Sequence, residues 1–390
     1  MRKKKILFIT TKNPFSDNFS GDRLVSSKII TFLKKQNKVS KIDTVCTDHK
    51  KIIKKHLSKY NLRIFSFFNF FLRLLNIFIS FIKMEPIQLG IFFSGEMKKF
   101  IENNHSKYDV IICHLIRSAQ YLPKDFKGKT ILEMTDAFSV NYKQTIKNMS
   151  IFNPLIFVYF LERILVKKYE KFCIELFDRI ILISKKELVD SLGILHHKKI
   201  FEIKIGIDKN KNIFKFKNNN FKIIFIGNIK YLPNKYACYS FVKNTMPKLR
   251  KIYPELEFHI VGEINAYDKF FLSCFKNIKV LGKINNLSKV IDGSICGLAN
   301  LEIATGMQTK ILTYVSFGLP AVCSEKSLVG FGGKNKNKNL LCYENEEEMI
   351  NMITKLKEKK KFSLKQSKKS HVLLSKYDWK RSLSLYNKII

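Results

Sequence analysis

Arginine is scarce in this sequence, although the chain is strongly basic. Lysine and arginine together number 71 against 32 aspartates and glutamates, which gives a net charge of +39, yet only nine of the basic residues are arginine. A surface that reads nucleic acid more often shows clustered arginine with interleaved aromatic residues, whereas these lysines are spread along the whole chain. The spread is typical of the residue bias of an AT-rich genome. We therefore expect an anionic membrane surface or a phosphate as partner, and no nucleic acid.

Cysteine patterns that would indicate zinc or disulfides are absent as well. The eight cysteines never occur as Cys-x-x-Cys or in a cluster with histidine, and most lie in apolar runs such as VIICHL and PAVCSE. Cysteine in such runs behaves as a small buried hydrophobic residue, so we expect reduced thiols, a reducing compartment and no zinc site. The apolar stretch behind the basic start is only Ile6 to Ile9, which predicts a buried strand and a cytoplasmic protein rather than an export signal.

One long apolar run, residues 62–83, could be mistaken for a membrane span. Its polar residues recur every three or four positions and form one stripe on a helix: Arg63, Ser66, Asn69, Arg73, Asn76, Ser80 and Lys83. An internal arginine costs about 2.5–3.5 kcal/mol at a bilayer centre, so the segment is not expected to span a membrane. Two alternatives remain for this amphipathic helix. It is a buried core element, or it lies in a membrane interface with its basic stripe outward.

Short apolar runs alternate with helix-length segments along the chain. The first set of predicted strands is 4–10, 38–47, 108–115, 129–135 and 178–184. A second set follows the Asn- and Lys-rich stretch 209–220, at 221–228, 256–262, 278–282, 294–300 and 319–325. Strands fed by helices indicate parallel β-α-β units. We therefore predict an α/β chain of two Rossmann-like halves, 1–208 and 209–370, with a terminal helix at 371–390 that returns toward the first half, and a ligand cleft at the carboxyl ends of the strands.

The second half also carries motifs of a known family. In order and spacing, IIFIGNIKYLPNKYACYSF, VLGKINNLSKVI and TGMQTKILTYVSFGLPAVCSE resemble the carboxyl-terminal domain of retaining GT-B glycosyltransferases, in particular the bacterial family 4 enzymes of O-antigen and capsule synthesis. The first half is similar through NPFSDNFSGDRLVSSKIITFLKK, ILEMTDAFSVNY and IGID. The resemblance implies the GT-B fold, with two Rossmann-like domains facing each other across a cleft, and transfer of a sugar from a nucleotide donor.

The resemblance implies a site for the donor diphosphate in the second half. A helix start offers unpaired N–H groups and a partial positive charge, which suit a phosphate. The residues assigned to this helix start are Gly306, Met307, Gln308, Thr309 and Lys310. The alternative left open is a plain helix cap with a solvated Lys310.

The turn after the first strand of the second half is assigned to the same site. Its residues are Gly227, Asn228, Lys230 and Lys235, in which the two lysines substitute for an arginine that is common in the family at position 228. No Asp-x-Asp triplet occurs in the sequence, so neither a divalent metal nor another cofactor is expected to hold the diphosphate.

The donor helix departs from the family at two positions. Thr305 and Thr313 stand where the family usually has the glutamates of an E-x7-E pattern, the first near the sugar hydroxyls and the second accepting from the ribose hydroxyls. A threonine hydroxyl lacks the charge-assisted part of that hydrogen bond. Glu302, three residues before Thr305, is a candidate replacement.

In the first half the resemblance assigns candidates at strand ends. Gly21 would bring backbone N–H groups near the transferred sugar, His114 would contact the donor sugar, and Asp136 is a comparable candidate for acceptor binding. His114 and Asp136 are therefore the candidate catalytic residues. For each, a structural role is the alternative. Glu170 also matches the family pattern, but we interpret it as a solvated charge on a helix face.

The resemblance, together with the charge and the amphipathic segment, implies a metal-independent retaining glycosyltransferase, hexosyltransferase-like, on the inner face of the cell membrane. It would move a sugar from a nucleotide-sugar donor to a lipid-linked oligosaccharide acceptor in surface-polysaccharide synthesis. Two alternatives remain on the same architecture. One is a degenerate GT-B fold acting as a binding subunit, and the other is a nucleotide-sugar epimerase.

Overall fold

The computed structural model describes residues 2–16, 21–47, 58, 60–65, 70–147, 149, 153–183, 193, 198–208, 210, 214–284, 286–304, 307–336 and 338–390. The chain divides into two compact units. Unit 1 comprises Met1–Lys204 and Lys380–Ile390, and unit 2 comprises Ile205–Trp379.

Unit 1 is built on a parallel seven-stranded sheet. Its strands are β1 (Lys4–Thr10), β2 (Val39–Thr47), β3 (Leu62–Phe65), β4 (Val110–His114), β5 (Lys129–Thr135), β6 (Arg179–Leu182) and β7 (Ile200–Glu202). They lie in the order β3-β2-β1-β4-β5-β6-β7. Strands of a parallel sheet covered on both faces read as continuous apolar runs, and Ile6 to Ile9 of β1 are all fully buried.

Helices flank this sheet. Those of the amino-terminal part are α1 (Gly21–Lys34), α2 (Phe70–Ile82), α3 (Ile87–Ile91), α4 (Gly95–Glu102), α5 (Phe138–Lys147) and α6 (Leu155–Leu176). Short 3₁₀ helices occupy His105–Lys107 and Ile116–Tyr121.

Unit 2 repeats the arrangement with six parallel strands. They are β8 (Lys222–Ile226), β9 (Glu257–Val261), β10 (Ile278–Gly282), β11 (Ser294–Ala299), β12 (Ala321–Ser324) and β13 (Leu341–Tyr343), in the order β10-β9-β8-β11-β12-β13. The helices are α7 (Leu232–Ser240), α8 (Met246–Ile252), α9 (Ala266–Ser273), α10 (Leu287–Ile291), α11 (Thr309–Ser316), α12 (Glu346–Glu358) and α13 (Lys360–His371). A π-helical turn at Phe241–Thr245 joins α7 to α8, and 3₁₀ helices occupy Lys326–Phe331, Lys334–Lys336 and Val372–Lys376.

The chain ends in two short helices, α14 (Trp379–Ser384) and α15 (Tyr386–Ile389). Tyr386 is buried, and Asn387 donates from Nδ2 to Oε1 of Gln36 at 3.0 Å, just after α1. The last residues of the chain therefore pack in unit 1.

Both sheets have the doubly wound strand order of Rossmann-like domains, so the α/β prediction of two such halves is confirmed. Three short edge strands, β3, β7 and β13, were not predicted from the sequence. Edge strands of three or four residues carry too few apolar positions to show as a run.

The predicted helix at 62–83 is wrong at its start. Leu62–Phe65 is strand β3, which pairs in parallel with β2, and helix α2 begins only at Phe70. Residues 66–69 lie outside the described part of the chain. The buried-core alternative is also wrong for α2, because its apolar side chains from Phe70 to Ile82 are largely exposed. Within the described residues, no helix combines the length and the apolar character needed to cross a membrane.

Candidate functional site

Each sheet has one point where the strand order reverses, and ligands of such sheets bind there, outside the carboxyl ends of the strands. In unit 2 this point lies between β8 and β11. The hydroxyl of Tyr314 joins the two strands, since it accepts from the Ile226 N–H at 2.8 Å and donates to the Leu298 carbonyl at 3.0 Å. Gly297 makes room for the ring, because a Cβ there would lie 2.2 Å from Cγ of Tyr314.

The structure brings three predicted donor-site residues together next to this point. Lys310 donates from Nζ to Oδ1 of Asn234 at 2.6 Å, and Asn234 donates from Nδ2 to the carbonyl of Asn228 at 2.8 Å. Asn234 also lies against Gly227, where a Cβ would approach its Nδ2 to 2.9 Å. Lys310 on α11 therefore supports the Gly227–Asn228 turn through Asn234, a residue that was not among the predicted site residues.

The alternative of a solvated Lys310 is wrong. Only 6% of its surface is exposed, and its ammonium group lies 4.0 Å from the ring centroid of Phe225. Burial lowers the pKa of Lys310 to about 7. The position beneath the turn gives Lys310 a supporting role.

The lowered pKa of Lys310 predicts that the stability of the protein depends on pH. Because burial lowers the folded-state pKa below the unfolded value, the unfolded chain binds more protons between pH 7 and pH 10.5, and the free energy of unfolding rises with pH in that window. We expect the wild type to gain about 2 kcal/mol relative to the Lys310→Met variant between pH 7 and pH 9. Urea unfolding of both proteins at several pH values measures the difference. A difference that stays constant with pH would contradict the buried amine.

The other residues of the predicted donor helix differ in their burial and in their hydrogen bonds. Thr309 and Lys310 open α11, so their N–H groups lack intrahelical acceptors by position, and Gln308 holds the N-cap position. Met307 is buried. Thr313 donates from Oγ1 to the Thr309 carbonyl at 3.0 Å, within its own helix. Thr305 and Gly306 lie outside the described residues.

The two loop lysines pair with carboxylates of their own unit. Lys235 contacts Oδ1 of the fully buried Asp268 at 2.6 Å, and Lys230 lies 3.7 Å from Glu263. Burial acts to raise the pKa of Asp268, but hydrogen bonds, including that from Lys235, outweigh it and hold the pKa below its ordinary value. Lys235 is therefore committed to Asp268, and Lys230, which is about half exposed, is the better candidate for a phosphate contact.

Three glycines hold the strand ends of unit 2 close together. Gly227 donates its N–H to the Val261 carbonyl at 2.9 Å, and Gly262 donates to the Gly282 carbonyl at 2.8 Å. Gly262 has a φ of +141° and Gly282 a φ of +69°. These turns set the position of the Gly227–Asn228 backbone.

In unit 1 the order reverses between β1 and β4, and a buried polar cluster lies there. His114, at the end of β4, pairs through Nδ1 with Glu133 of β5 and through Nε2 with the backbone carbonyl of Asp22 at 3.0 Å. His114 is 1% exposed. Both ring nitrogens are engaged inside the unit, which favours the structural alternative for His114. Its contact with a donor sugar stays a prediction.

Asp22, in the first turn of α1, is the centre of this cluster. Its carboxylate lies 2.6 Å from Nζ of Lys12 and 3.5 Å from the guanidinium of Arg117. Arg117 also donates from Nε to Oγ1 of Thr11 at 2.7 Å and stacks over the Phe92 ring at 4.2 Å. The cluster ties β1, β4 and the start of α1 together.

Two residues beside the predicted site have left-handed backbones. Leu115 (φ 65°) follows His114, and Thr135 (φ 67°) precedes Asp136. Non-glycine residues in this region carry strain and cluster at functional sites. Asp136 is partly buried at the carboxyl end of β5, as the sequence predicts, and its role in acceptor binding stays a prediction.

The interpretation of Glu170 as a solvated charge is wrong. It is fully buried, and it accepts from the N–H of Ser139 at 3.1 Å and from the Ser139 hydroxyl. Glu170 of α6 thereby fixes the start of α5, directly after Asp136. Helical spacing alone could not show this, because the partner lies 31 residues away.

Glu302 pairs with Lys326 at 2.7 Å and is well exposed. It lines a separate pocket of about 480 Å³ in unit 2, which also contains Asn300, Tyr343 and Glu346. The carboxylates of Glu302 and Glu346 that line the pocket make it a poor place for a diphosphate.

Comparison with known proteins identifies this architecture. Residues 220–359 match the family described as Glycosyl transferases group 1. Over both units, the fold of the chain is similar to the fold of solved glycosyltransferase structures. The chain has the GT-B glycosyltransferase fold.

Three solved GT-B structures illustrate the similarity. Sucrose-phosphate synthase from Thermosynechococcus elongatus has a TM-score of 0.68 at 11% identity, with 99% of this chain and 98% of that chain covered. Anabaena HepE in complex with UDP and glucose has a TM-score of 0.67 at 12% identity, with 99% of both chains covered. An S. aureus TarM variant in complex with Fondaparinux, alpha-GlcNAc-glycerol and UDP has a TM-score of 0.65 at 13% identity, again with 99% of both covered. No curated protein matches this chain significantly.

Proposed function

We propose that this GT-B chain is a retaining glycosyltransferase that takes a nucleotide-sugar donor in unit 2. The observation that carries the proposal is the assembly of the Gly227–Asn228 turn, Asn234 and Lys310 at the strand-order reversal of unit 2. This assembly lies inside the segment that matches Glycosyl transferases group 1. The similar structures of HepE and TarM contain UDP, which supports a uridine diphosphate donor for this chain.

The chemistry needs stabilisation of a departing diphosphate. Preorganised N–H groups aimed at the developing charge can supply it without a metal. In this chain we assign that role to the first turn of α11 at Thr309 and Lys310 and to the backbone of the Gly227–Asn228 turn. Lys230 would add a positive charge. We propose that transfer needs no divalent metal or other cofactor.

The acceptor is proposed to be a lipid-linked oligosaccharide of a surface polysaccharide, such as O-antigen or capsule, bound by unit 1. Asp136 is the candidate acceptor residue, because it follows the left-handed Thr135 at a strand end and is partly exposed. A lipid-linked acceptor would require the chain to work at the inner surface of the cell membrane.

Gly21 offers a sharp test of the transferase proposal. An added Cβ at Gly21 would meet nothing within 4 Å, and one at Gly95, also the first residue of a helix, would meet only the Phe93 ring at 4.0 Å. Neither Gly21→Ala nor Gly95→Ala should therefore change the fold. If the sugar approaches the Gly21 backbone, Gly21→Ala should lower turnover by about a hundredfold, since a shift of about 1 Å in the substrate has that effect, while Gly95→Ala keeps full turnover.

The measurement starts with a thermal-shift screen of uridine and guanosine diphosphate sugars on the full chain. Turnover of the stabilising donor is then followed in the wild type and the two variants, with and without a chelator. Equal turnover in Gly21→Ala and the wild type would contradict the placement of the sugar at Gly21. Donor binding without turnover would contradict the transferase and favour the binding-subunit alternative.

A further inference from the structure

Helix α2 has its polar side toward the protein and its apolar side toward solvent. Arg73 donates from Nε to the Ile91 carbonyl at 3.2 Å, and Ser80 is buried. The Asn76 backbone is so close to α3 that a Cβ at Gly90 would lie 2.5 Å from the Asn76 carbonyl oxygen. Nine of the thirteen residues of α2 are apolar side chains with 37% to 79% of their surface exposed. A helix that only packs on a globular core has the opposite arrangement.

Helix α6 presents a second apolar face of the same kind. Phe157 is 78% exposed, and Phe160 and Ile164 are about half exposed. The inner side of α6 is tied to α3 by Glu162, whose carboxylate accepts from the N–H groups of Ile87 at 2.7 Å and Gln88 at 3.2 Å. Because α3 packs against both helices, α2 and α6 belong to one surface layer of unit 1.

The charges around this layer are mostly positive, although Glu85 after α2 is partly exposed and Glu175 near the end of α6 is exposed. Helices α2 and α5 contain no aspartate or glutamate. On α6 the carboxylates of Glu162 and Glu170 are buried and hydrogen-bonded. Lys83 after α2 and Lys147 at the end of α5 are exposed. Lys168 and Lys171 of α6 are exposed as well, so the border of the apolar face carries a net positive charge.

We propose that the apolar face of α2 and α6 inserts into the interface of an anionic lipid bilayer. Apolar side chains would enter the headgroup and acyl boundary, and the lysines would meet anionic headgroups. A second copy of the chain is a poorer occupant, because a two-fold contact places the same patch opposite itself and would bring the lysines of both copies together. The inference deepens the proposed membrane function by naming its surface, and it can be tested without any sugar transfer.

The test compares two sets of exposed aromatic side chains. The patch variant carries Phe71→Ser, Phe78→Ser, Phe157→Ser and Phe160→Ser. The control variant carries Tyr267→Ser and Phe270→Ser on α9 of unit 2, whose side chains are 71% and 74% exposed. Each full chain is sedimented with vesicles of phosphatidylglycerol and phosphatidylcholine, and with phosphatidylcholine alone.

We expect the wild type and the control variant to bind the anionic vesicles and to be partly released by salt. The patch variant should bind at least about a hundredfold more weakly, because it lacks four aromatic side chains that would be buried in the bilayer. Its circular dichroism and its thermal response to UDP should stay unchanged. Equal binding by the patch variant would overturn the proposal. So would a wild type that self-associates through the patch in solution and ignores vesicles.

A conservative second variant covers the case in which the patch variant does not fold. The chain has a single tryptophan, Trp379, which is 8% exposed, whereas Phe78 is 59% exposed. The Phe78→Trp variant thus adds one exposed indole. Its fluorescence should shift to shorter wavelength with anionic vesicles and be quenched by brominated acyl chains. An unchanged spectrum would also overturn the proposal.

Discussion

Replacing Gly262 with alanine is expected to destabilise unit 2 strongly and to abolish donor binding. Gly262 has a φ of +141°, and a Cβ there would lie 1.8 Å from the carbonyl oxygen of Gly227. The new methyl group must either push away the Gly227–Asn228 turn or force Gly262 out of its conformation. Strain and overpacking together cost about 3–5 kcal/mol. The turn that Asn234 and Lys310 support would move with it.

Gly282 provides the matched control. Its φ of +69° is also left-handed, but a Cβ there would meet nothing within 4 Å. Gly282→Ala should therefore cost only the conformational penalty, about 1–2 kcal/mol, and should retain binding of UDP. Urea unfolding and calorimetric titration with UDP distinguish the two effects. Similar losses in both variants would show that backbone conformation, and not the contact with Gly227, dominates.

The strand pattern of both sheets could be predicted because parallel strands buried on both faces are apolar runs. Ile6 to Ile9 and Ile223 to Phe225 are such runs, and the structure buries them completely. The helix predicted over residues 62–83 was wrong at its start, because a periodic polar stripe fits a helix, whereas strand β3 forms through its pairing with β2. A contact between distant segments leaves no local period in the sequence.

The candidate site could be predicted only in outline. The resemblance placed Gly227, Asn228 and Lys310 in one site, and the structure places them together. The resemblance could not show that Asn234 links these three residues, or that Lys235 forms an ion pair with Asp268, because both facts depend on three-dimensional neighbours. Burial likewise explains why the interpretation of Glu170 as solvated, and the solvated alternative for Lys310, were wrong. A charged residue in a helix is usually solvated, and only the fold reveals its partner.

The buried pair of His114 and Glu133 carries the second large prediction. Glu133 is 2% exposed, and besides His114 its Oε2 accepts from the Thr135 hydroxyl at 2.9 Å. The pair therefore connects the ends of β4 and β5 to the left-handed turn before Asp136. Removing one member of such a buried pair leaves the other without its main partner, which costs about 3–5 kcal/mol.

We expect His114→Ala and Glu133→Ala each to lower the free energy of unfolding by about 3–5 kcal/mol. The double variant should lose clearly less than the sum, because each change removes the same interaction. Urea unfolding of the four proteins gives the coupling energy directly. Thr145→Ala is a suitable control, since its hydroxyl only donates to the Asn141 carbonyl within α5. If His114 instead serves the donor sugar, the His114→Ala variant would unfold with the same free energy as the wild type but would lose turnover. The changes in the free energy of unfolding of the two single variants would then add up to that of the double variant. The engagement of both ring nitrogens inside unit 1 favours the first result.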